Sequence, residues 1–202
     1  MLRRLVVVGC ALGLLTCPIS KPTRADPVVN AIAAASAVLV IESIFLDTPQ
    51  EDEQDFISVE AGRFDPYRQI KQSEEFGAEY RSGFFLWKFK PYAGVGATTN
   101  GTFYGYAGIR LDTYWFDRKF IVTPSFALVA YDRGDGKYLG SPILGRSGFD
   151  FQYRFDGDYR IGVAFHHMSQ GKVFNSRLNP GAEEVGMTFS MPVTKLIGSQ
   201  SR

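Results

Sequence analysis

The sequence predicts an all-β protein, an eight-stranded antiparallel up-and-down transmembrane β-barrel, on three observations. Seventeen Phe and ten Tyr accompany 21 Gly in 202 residues, a mixture suited to many strands joined by tight turns. Eight segments beyond Phe56 alternate apolar and polar residues with a period of two. The polar face of that alternation carries charges of both signs beside Gly and Tyr, as expected of the filled lumen of a narrow barrel.

The length suits one domain with a full core. Lys and Arg total 22 against 21 Asp and Glu, a balance without the electrostatic footprint of a nucleic-acid binder. Residues 1–25 read as a signal peptide, with Arg3 and Arg4 before an apolar run and Thr23-Arg24-Ala25 as a small-x-small cleavage site. Cleavage there removes Arg3, Arg4, Lys21 and Arg24 and no acidic residue, taking the formal charge from +1 to −3. It also removes Cys10 and Cys17, the only cysteines, so no disulfide holds the exported chain and barrel closure must serve instead. Residues 26–55 form a leader: an apolar stretch over 28–46, a marginal membrane span, a short helix packed against the barrel rim or a mobile segment, then the acidic linker DTPQEDEQD. The barrel is expected over 56–193 and a C-terminal tail over 194–202.

The strands follow in order, with lipid-facing residues given first. Ile57, Val59 and Ala61 oppose Ser58, Glu60 and Gly62; Phe76, Ala78 and Tyr80 oppose Glu75, Gly77, Glu79 and Arg81. Phe89, Ala93, Val95 and Ala97 oppose Lys90, Tyr92, Gly94 and Gly96 in the third. In the fourth, Phe103, Ala107, Ile109 and Leu111 oppose Tyr104, Tyr106, Gly108, Arg110 and Asp112. Val122, Phe126, Leu128 and Ala130 in the fifth oppose Thr123, Ser125 and Ala127, with Pro124 costing a ladder hydrogen bond. The sixth sets Phe149, Phe151, Tyr153 and Phe155 against Asp150, Gln152 and Arg154. The seventh, from Tyr159 to Ser169, and the eighth, from Glu183, complete the set. Such strands approach the length a tilted strand needs to cross a bilayer, and closure satisfies every backbone group where no water is available. A soluble carrier of lipocalin type would bury the apolar face and would not need a mixed-sign opposite face.

Tyr114-Trp115-Phe116 and Phe120 flank the Asp117-Arg118-Lys119 turn as an interfacial aromatic girdle, which assigns that end to the short-turn, periplasmic side. Asp156-Gly157-Asp158 is also tight, whereas the connections over 132–140 and 170–182 are longer and belong outside.

Chemistry is expected at the outer end of the last two strands. The lipid-facing row Tyr159, Ile161, Val163, Phe165 ends in His167 and Ser169, and the row Val185, Met187, Phe189, Met191 begins with Glu183. Antiparallel neighbours bring these ends together on the outer wall. A serine hydroxyl becomes nucleophilic when an imidazole takes its proton, and a carboxylate holds that imidazole's tautomer. His166 points by parity into the lumen as a partner for interior carboxylates. The alternative is a non-catalytic barrel with a structural or adhesion role, in which the polar triplet is rim decoration.

Over Phe165 to Pro192 the chain resembles the lipid A 3-O-deacylases of PagL type, small outer-membrane barrels with an interfacial Ser-His-Glu site. His167-Met168-Ser169 is similar to the family's H-x-S, Asn179-Pro180-Gly181-Ala182-Glu183 to its N-x-G-x-E, and Met191-Pro192-Val193 to its last-strand ending. The resemblance implies that Ser169 is the nucleophile, His167 the general base, Glu183 the orienting carboxylate and Asn179 a polar loop residue near the site. It further implies an ester-linked acyl chain of lipopolysaccharide in the outer leaflet as substrate, an outer-membrane location and no cofactor; a homodimer stays open. Gln170 stands where the family has Asn, so the oxyanion donor is expected from Gln170 or the Gly171 amide. Lys172 and Arg177 are candidates for anionic headgroups. Glu184, beside Glu183, faces inward and ranks behind it.

Overall fold

The alternation becomes strands β1 (Phe56–Phe64), β2 (Ser73–Arg81), β3 (Lys90–Thr98), β4 (Phe103–Arg110), β5 (Thr113–Trp115), β6 (Phe120–Asp132), β7 (Ile143–Arg154), β8 (Arg160–Ser169) and β9 (Ala182–Pro192), followed by a short helix α1 (Val193–Gly198). The structure is a computed structural model that describes residues 54–67, 70–171 and 179–198, with Ala34, Ala37, Val38 and Ile41 as helical positions upstream. The strands belong to one compact unit, Gln50–Arg202, separate from Met1–Pro49. The expected signal peptide, the acidic linker before Gln54, Lys172, Arg177 and residues 199–202 lie outside the described residues.

Every chain-neighbouring pair of strands from β1 to β4 and from β5 to β9 is antiparallel, and β1–β9 and β4–β6 pairings close the sheet. β4 and β5 are two lengths of one stave, because both pair β6 in a single running register, Arg110↔Ser125 and then Thr113↔Val122. The barrel therefore has eight staves. The interruption at Leu111 and Asp112 has a cause in the opposite strand: the Leu111 N–H donates to the Pro124 carbonyl at 3.0 Å, but Pro124 has no N–H to return. Leu111, expected against lipid, is instead buried at 1% exposure beside buried Asp112 and Thr113.

Elsewhere the parity holds. Val59, Phe76, Val95, Phe103, Phe126, Leu128, Phe151, Val163 and Met187 are exposed, a set of outward apolar side chains of the kind that marks a membrane or partner contact. The inward set is buried and ionic. Arg81 is bonded to both Glu79 and Asp150, and Arg110 to Asp112, whose carboxylate also lies 3.5 Å from Lys90 Nζ. Arg146 Nε donates to Glu184 at 2.8 Å, and its guanidinium lies 4.5 Å from the Tyr106 ring centroid. Tyr104 and Tyr106 donate to Glu75 and Glu79. These tyrosines lie over Gly96 and Gly94, where a Cβ would come within 2.2 Å and 2.5 Å of their rings and hydroxyls, so each glycine is the space its tyrosine fills.

Towards the mouth formed by the ends of β1, β6 and β8, the filling turns apolar, with Phe64, Tyr131, Leu139, Leu144 and Met168 in one cluster. Leu139 comes from the β6–β7 connection, which also places Lys137 Nζ 2.7 Å from Asp65. The barrel is plugged rather than open. At the opposite end Phe116, Phe120, Tyr153 and Phe155 stack edge to face in succession, at centroid separations of 5.7, 5.2 and 4.8 Å. The anticipated girdle is present there and continues across β7.

Candidate active site

β8 alternates in the expected sense near its end: Ala164, His166 and Met168 are buried in the lumen, while Phe165, His167 and Ser169 take the outer face. His166 is held inside, with Arg146 donating to Nδ1 at 2.9 Å and Asp150 3.6 Å from Nε2. A guanidinium hydrogen at Nδ1 leaves the proton on Nε2, so this imidazole is a neutral structural link between cation and anion. Glu184 is likewise bound to Arg146 in the lumen and takes no part in the outer patch.

On the outer wall the β8–β9 register sets His167 directly opposite Glu183, and His167 Nδ1 lies 3.3 Å from Glu183 Oε1. Ser169 is two residues further along β8, on the same side, at a Cβ separation of roughly 7 Å from His167. The three residues singled out from the sequence are thus brought to one place. Only the carboxylate departs from expectation, because Glu183 is 1% exposed rather than open to the acyl layer. The chain after β1 returns along this part of the wall, where the Asp65 N–H donates to the Glu183 carbonyl at 2.6 Å and the Tyr67 ring lies 6.1 Å from Phe165. Burial raises the Asp65 carboxyl above its ordinary value, the Lys137 pair works against that, and the nearby Glu183 raises it further. Sequence reasoning missed Asp65 and Tyr67, since no periodicity signals a loop that folds back along the wall.

Gly181 closes the imidazole from the loop side. Its φ is +61°, and a Cβ there would stand 2.6 Å from His167 Cε1, so the glycine of the N-x-G-x-E string is required both by conformation and by contact. Asn179 Oδ1 accepts from the Gln170 backbone N–H at 3.2 Å, which ties the loop's two ends together. That amide is therefore engaged, and the Gln170 residue is 3% exposed, whereas Gly171 is exposed.

An open groove of about 360 Å³ runs from Ser169 across the wall, lined by Phe126, Leu128, Ile143, Gly145, Ser147 and Gly171 among others. Its floor is low because β7 presents Gly145 opposite Ser169 and Ser147 opposite His167. Small residues lie between Phe126 and Leu128 on one side and β8 on the other. The arrangement sets a serine hydroxyl, an imidazole 3.3 Å from a carboxylate, and an apolar slot on one stretch of the wall. Among the described residues no group of three or more His, Cys, Asp or Glu is arranged to hold a metal ion.

Comparison with known proteins bears on the fold and the family. No curated protein matches the chain. Among solved structures, the crystal structure of the outer membrane enzyme PagL is similar at 15% identity and a TM-score of 0.51, covering 68% of this chain and 99% of that one. The Yersinia pestis outer membrane protein Ail, solved in a phospholipid bilayer nanodisc, is 12% identical over 68% of this chain and 100% of its own, with a TM-score of 0.40. Neisserial surface protein A is 9% identical over 68% of this chain and 96% of its own, at 0.42. The likeness to PagL shows the barrel fold. A family model described as lipid A 3-O-deacylase (PagL) matches residues 69–192, which include His167, Ser169, Gln170, Gly171, Asn179, Gly181 and Glu183. With more than half of its length in that match, the chain belongs to the lipid A 3-O-deacylase (PagL) family of outer-membrane lipid A hydrolases.

Proposed function

We propose that this barrel removes the 3-O acyl chain of lipid A by a Ser169–His167–Glu183 mechanism, from the outer leaflet of the outer membrane. The observation that carries the reading is the outward pair of His167 Nδ1 and Glu183 Oε1 at 3.3 Å, beside Ser169 and an apolar groove. Glu183 faces Nδ1, which keeps its hydrogen, and so favours the tautomer in which Nε2 is basic. Ser169 Oγ attacks the ester carbonyl carbon while its proton passes to His167. Collapse of the tetrahedral intermediate breaks the bond to the sugar oxygen, which leaves with the proton from His167. Water, deprotonated by the same imidazole, then releases the fatty acid and restores Ser169. The acyl chain lies along the groove past Gly145, and the Gly171 amide donates to the oxyanion. No cofactor enters.

The placement at the outer leaflet is supported by the longer β6–β7 and β8–β9 connections at the site's end, against tight turns such as that before β8. Residues 1–25 act as the export signal that brings the chain there, and 26–55 as its leader. The test is mass spectrometry of lipid A from cells expressing the chain or its Ser169→Ala variant. The intact chain lowers the lipid A mass by one hydroxyacyl group and Ser169→Ala does not; identical spectra from both remove the esterase reading.

A further inference from the structure

The groove holds a second hydroxyl that the triad does not use. Ser147 on β7 is the direct cross-strand partner of His167, as Gly145 is of Ser169. Directly opposed residues have Cβ atoms ~5 Å apart, so Ser147 stands nearer to the His167 backbone than Ser169 does. Its side chain is exposed on the outer wall and lines the same groove as Ser169. Ser147 and Ser169 are diagonal neighbours, separated by roughly 7 Å. That span accommodates, in order, an attacking oxygen, a carbonyl carbon, its oxygen and a hydrogen-bonded hydroxyl.

The other groove residues narrow the choice of donor. Phe126, Leu128 and Ile143 have no side-chain donor, and Gly145 has no side chain at all. The backbone N–H of Gln170 is given to Asn179. On the loop side the Gly171 amide and the Gln170 side-chain amide remain, the latter on a residue 3% exposed, and on the β7 side the side-chain donor among the groove-lining residues is Ser147. We infer that Ser147 is a further catalytic residue, whose Oγ–H donates to the oxyanion formed when Ser169 attacks the ester. No bond of Ser147 breaks: the hydroxyl keeps its proton, strengthens its hydrogen bond as charge develops on the carbonyl oxygen, and relaxes when the intermediate collapses. Water is scarce against the acyl layer, which makes one oriented donor count for more than it would in solvent. The inference rests on the esterase reading and adds a second donor to it.

The experiment uses the full chain refolded in detergent, with fatty-acid release from detergent-dispersed lipid A giving kcat and KM for the wild type, Ser147→Ala, Ser147→Thr and Ser169→Ala. Ser147→Ala keeps the groove small and removes only the donor, so kcat is expected to fall about 100-fold with KM little changed. Ser147→Thr keeps the hydroxyl and most of the turnover. Heat-modified gel mobility reports folding of each variant, and should Ser147→Ala not fold, Ser147→Gly takes its place with the same expectation. Wild-type kcat in the folded Ala or Gly variant, or a change confined to KM, overturns this inference while Ser169→Ala, inactive, leaves the esterase reading standing. Turnover that survives in Ser169→Ala but vanishes in Ser147→Ala overturns both, because Ser147 is then the nucleophile. No release by the wild type removes the esterase reading and the donor with it.

Discussion

Gly181 shows how little freedom the site's imidazole has. At φ +61° an alanine pays the left-handed backbone cost of about 1–2 kcal/mol. Its Cβ, 2.6 Å from His167 Cε1, also pushes the ring off Glu183. Gly181→Ala is therefore expected to lower the rate of fatty-acid release at least about 10-fold while the barrel still folds; a 1 Å misplacement of a catalytic group is enough. A kinetic assay beside a heat-modified gel checks it, and unchanged turnover would show that the ring has room to move. The same scale separates the two histidines. Adjacent in sequence, they lie on opposite faces of β8, so His166 joins Arg146 to Asp150 while His167 meets Glu183.

At the scale of elements, the β2–β3 connection is the feature that alternation did not reveal. Residues 82–89 form a hairpin-like excursion with Leu86 bridged to Phe89, and Phe84, Leu86 and Trp87 are exposed at 64%, 49% and 66%. It leaves the barrel at the end opposite the site, next to the outward Tyr80, so its apolar tip stands beside the outward apolar wall at that end. The chain has two tryptophans, Trp87 and Trp115, and a Trp115→Phe variant isolates the first. In phospholipid vesicles Trp87 is expected to emit blue-shifted light and to be quenched by lipids brominated near the headgroup. Quenching by aqueous acrylamide alone would place the hairpin in water. The excursion is pinned by Asp55, which accepts from the Gly83 N–H and the Tyr80 hydroxyl, each at 2.7 Å. The Gly83 bond first, and then that from Tyr80, hold the Asp55 carboxyl below its ordinary value of 3.8. A depressed carboxyl stabilises the folded form above the unfolded value and loses that contribution as pH falls through the folded one. Acid titration is thus expected to free the hairpin only below pH 3.8, read as a change in Trp87 emission, and Asp55→Asn to abolish that step. The sequence carried the parity of each strand because a half-buried strand repeats every two residues. It flagged Pro124 but not that the break would fall at Leu111 in the neighbouring strand, and it did not carry the burial of Glu183, beside which a segment more than a hundred residues earlier returns.

The whole molecule is an ionic interior wrapped in an apolar exterior, and Arg146 is where the two functions meet. Its guanidinium holds Glu184 at 2.8 Å, approaches Glu60 at 3.8 Å and donates to His166 at 2.9 Å. Arg146→Met leaves buried carboxylates without their cation, at an expected cost of about 3–5 kcal/mol. Denaturant unfolding of the refolded barrel measures it, and a shift below about 1 kcal/mol would mean that the surrounding tyrosines carry the lumen without the ion network. Glu184 and Glu183 are successive residues of β9, so the lumen that Arg146 satisfies also fixes the strand that presents the outer carboxylate.

Chemical trapping on the refolded full chain bears most directly on the claim that the outward His167–Glu183 pair activates Ser169. An alkyl fluorophosphonate, which modifies activated serines, is followed by peptide mass mapping. The account predicts a single label on Ser169 that His167→Ala abolishes; labelling of another serine, or of Ser169 independently of His167, would contradict it.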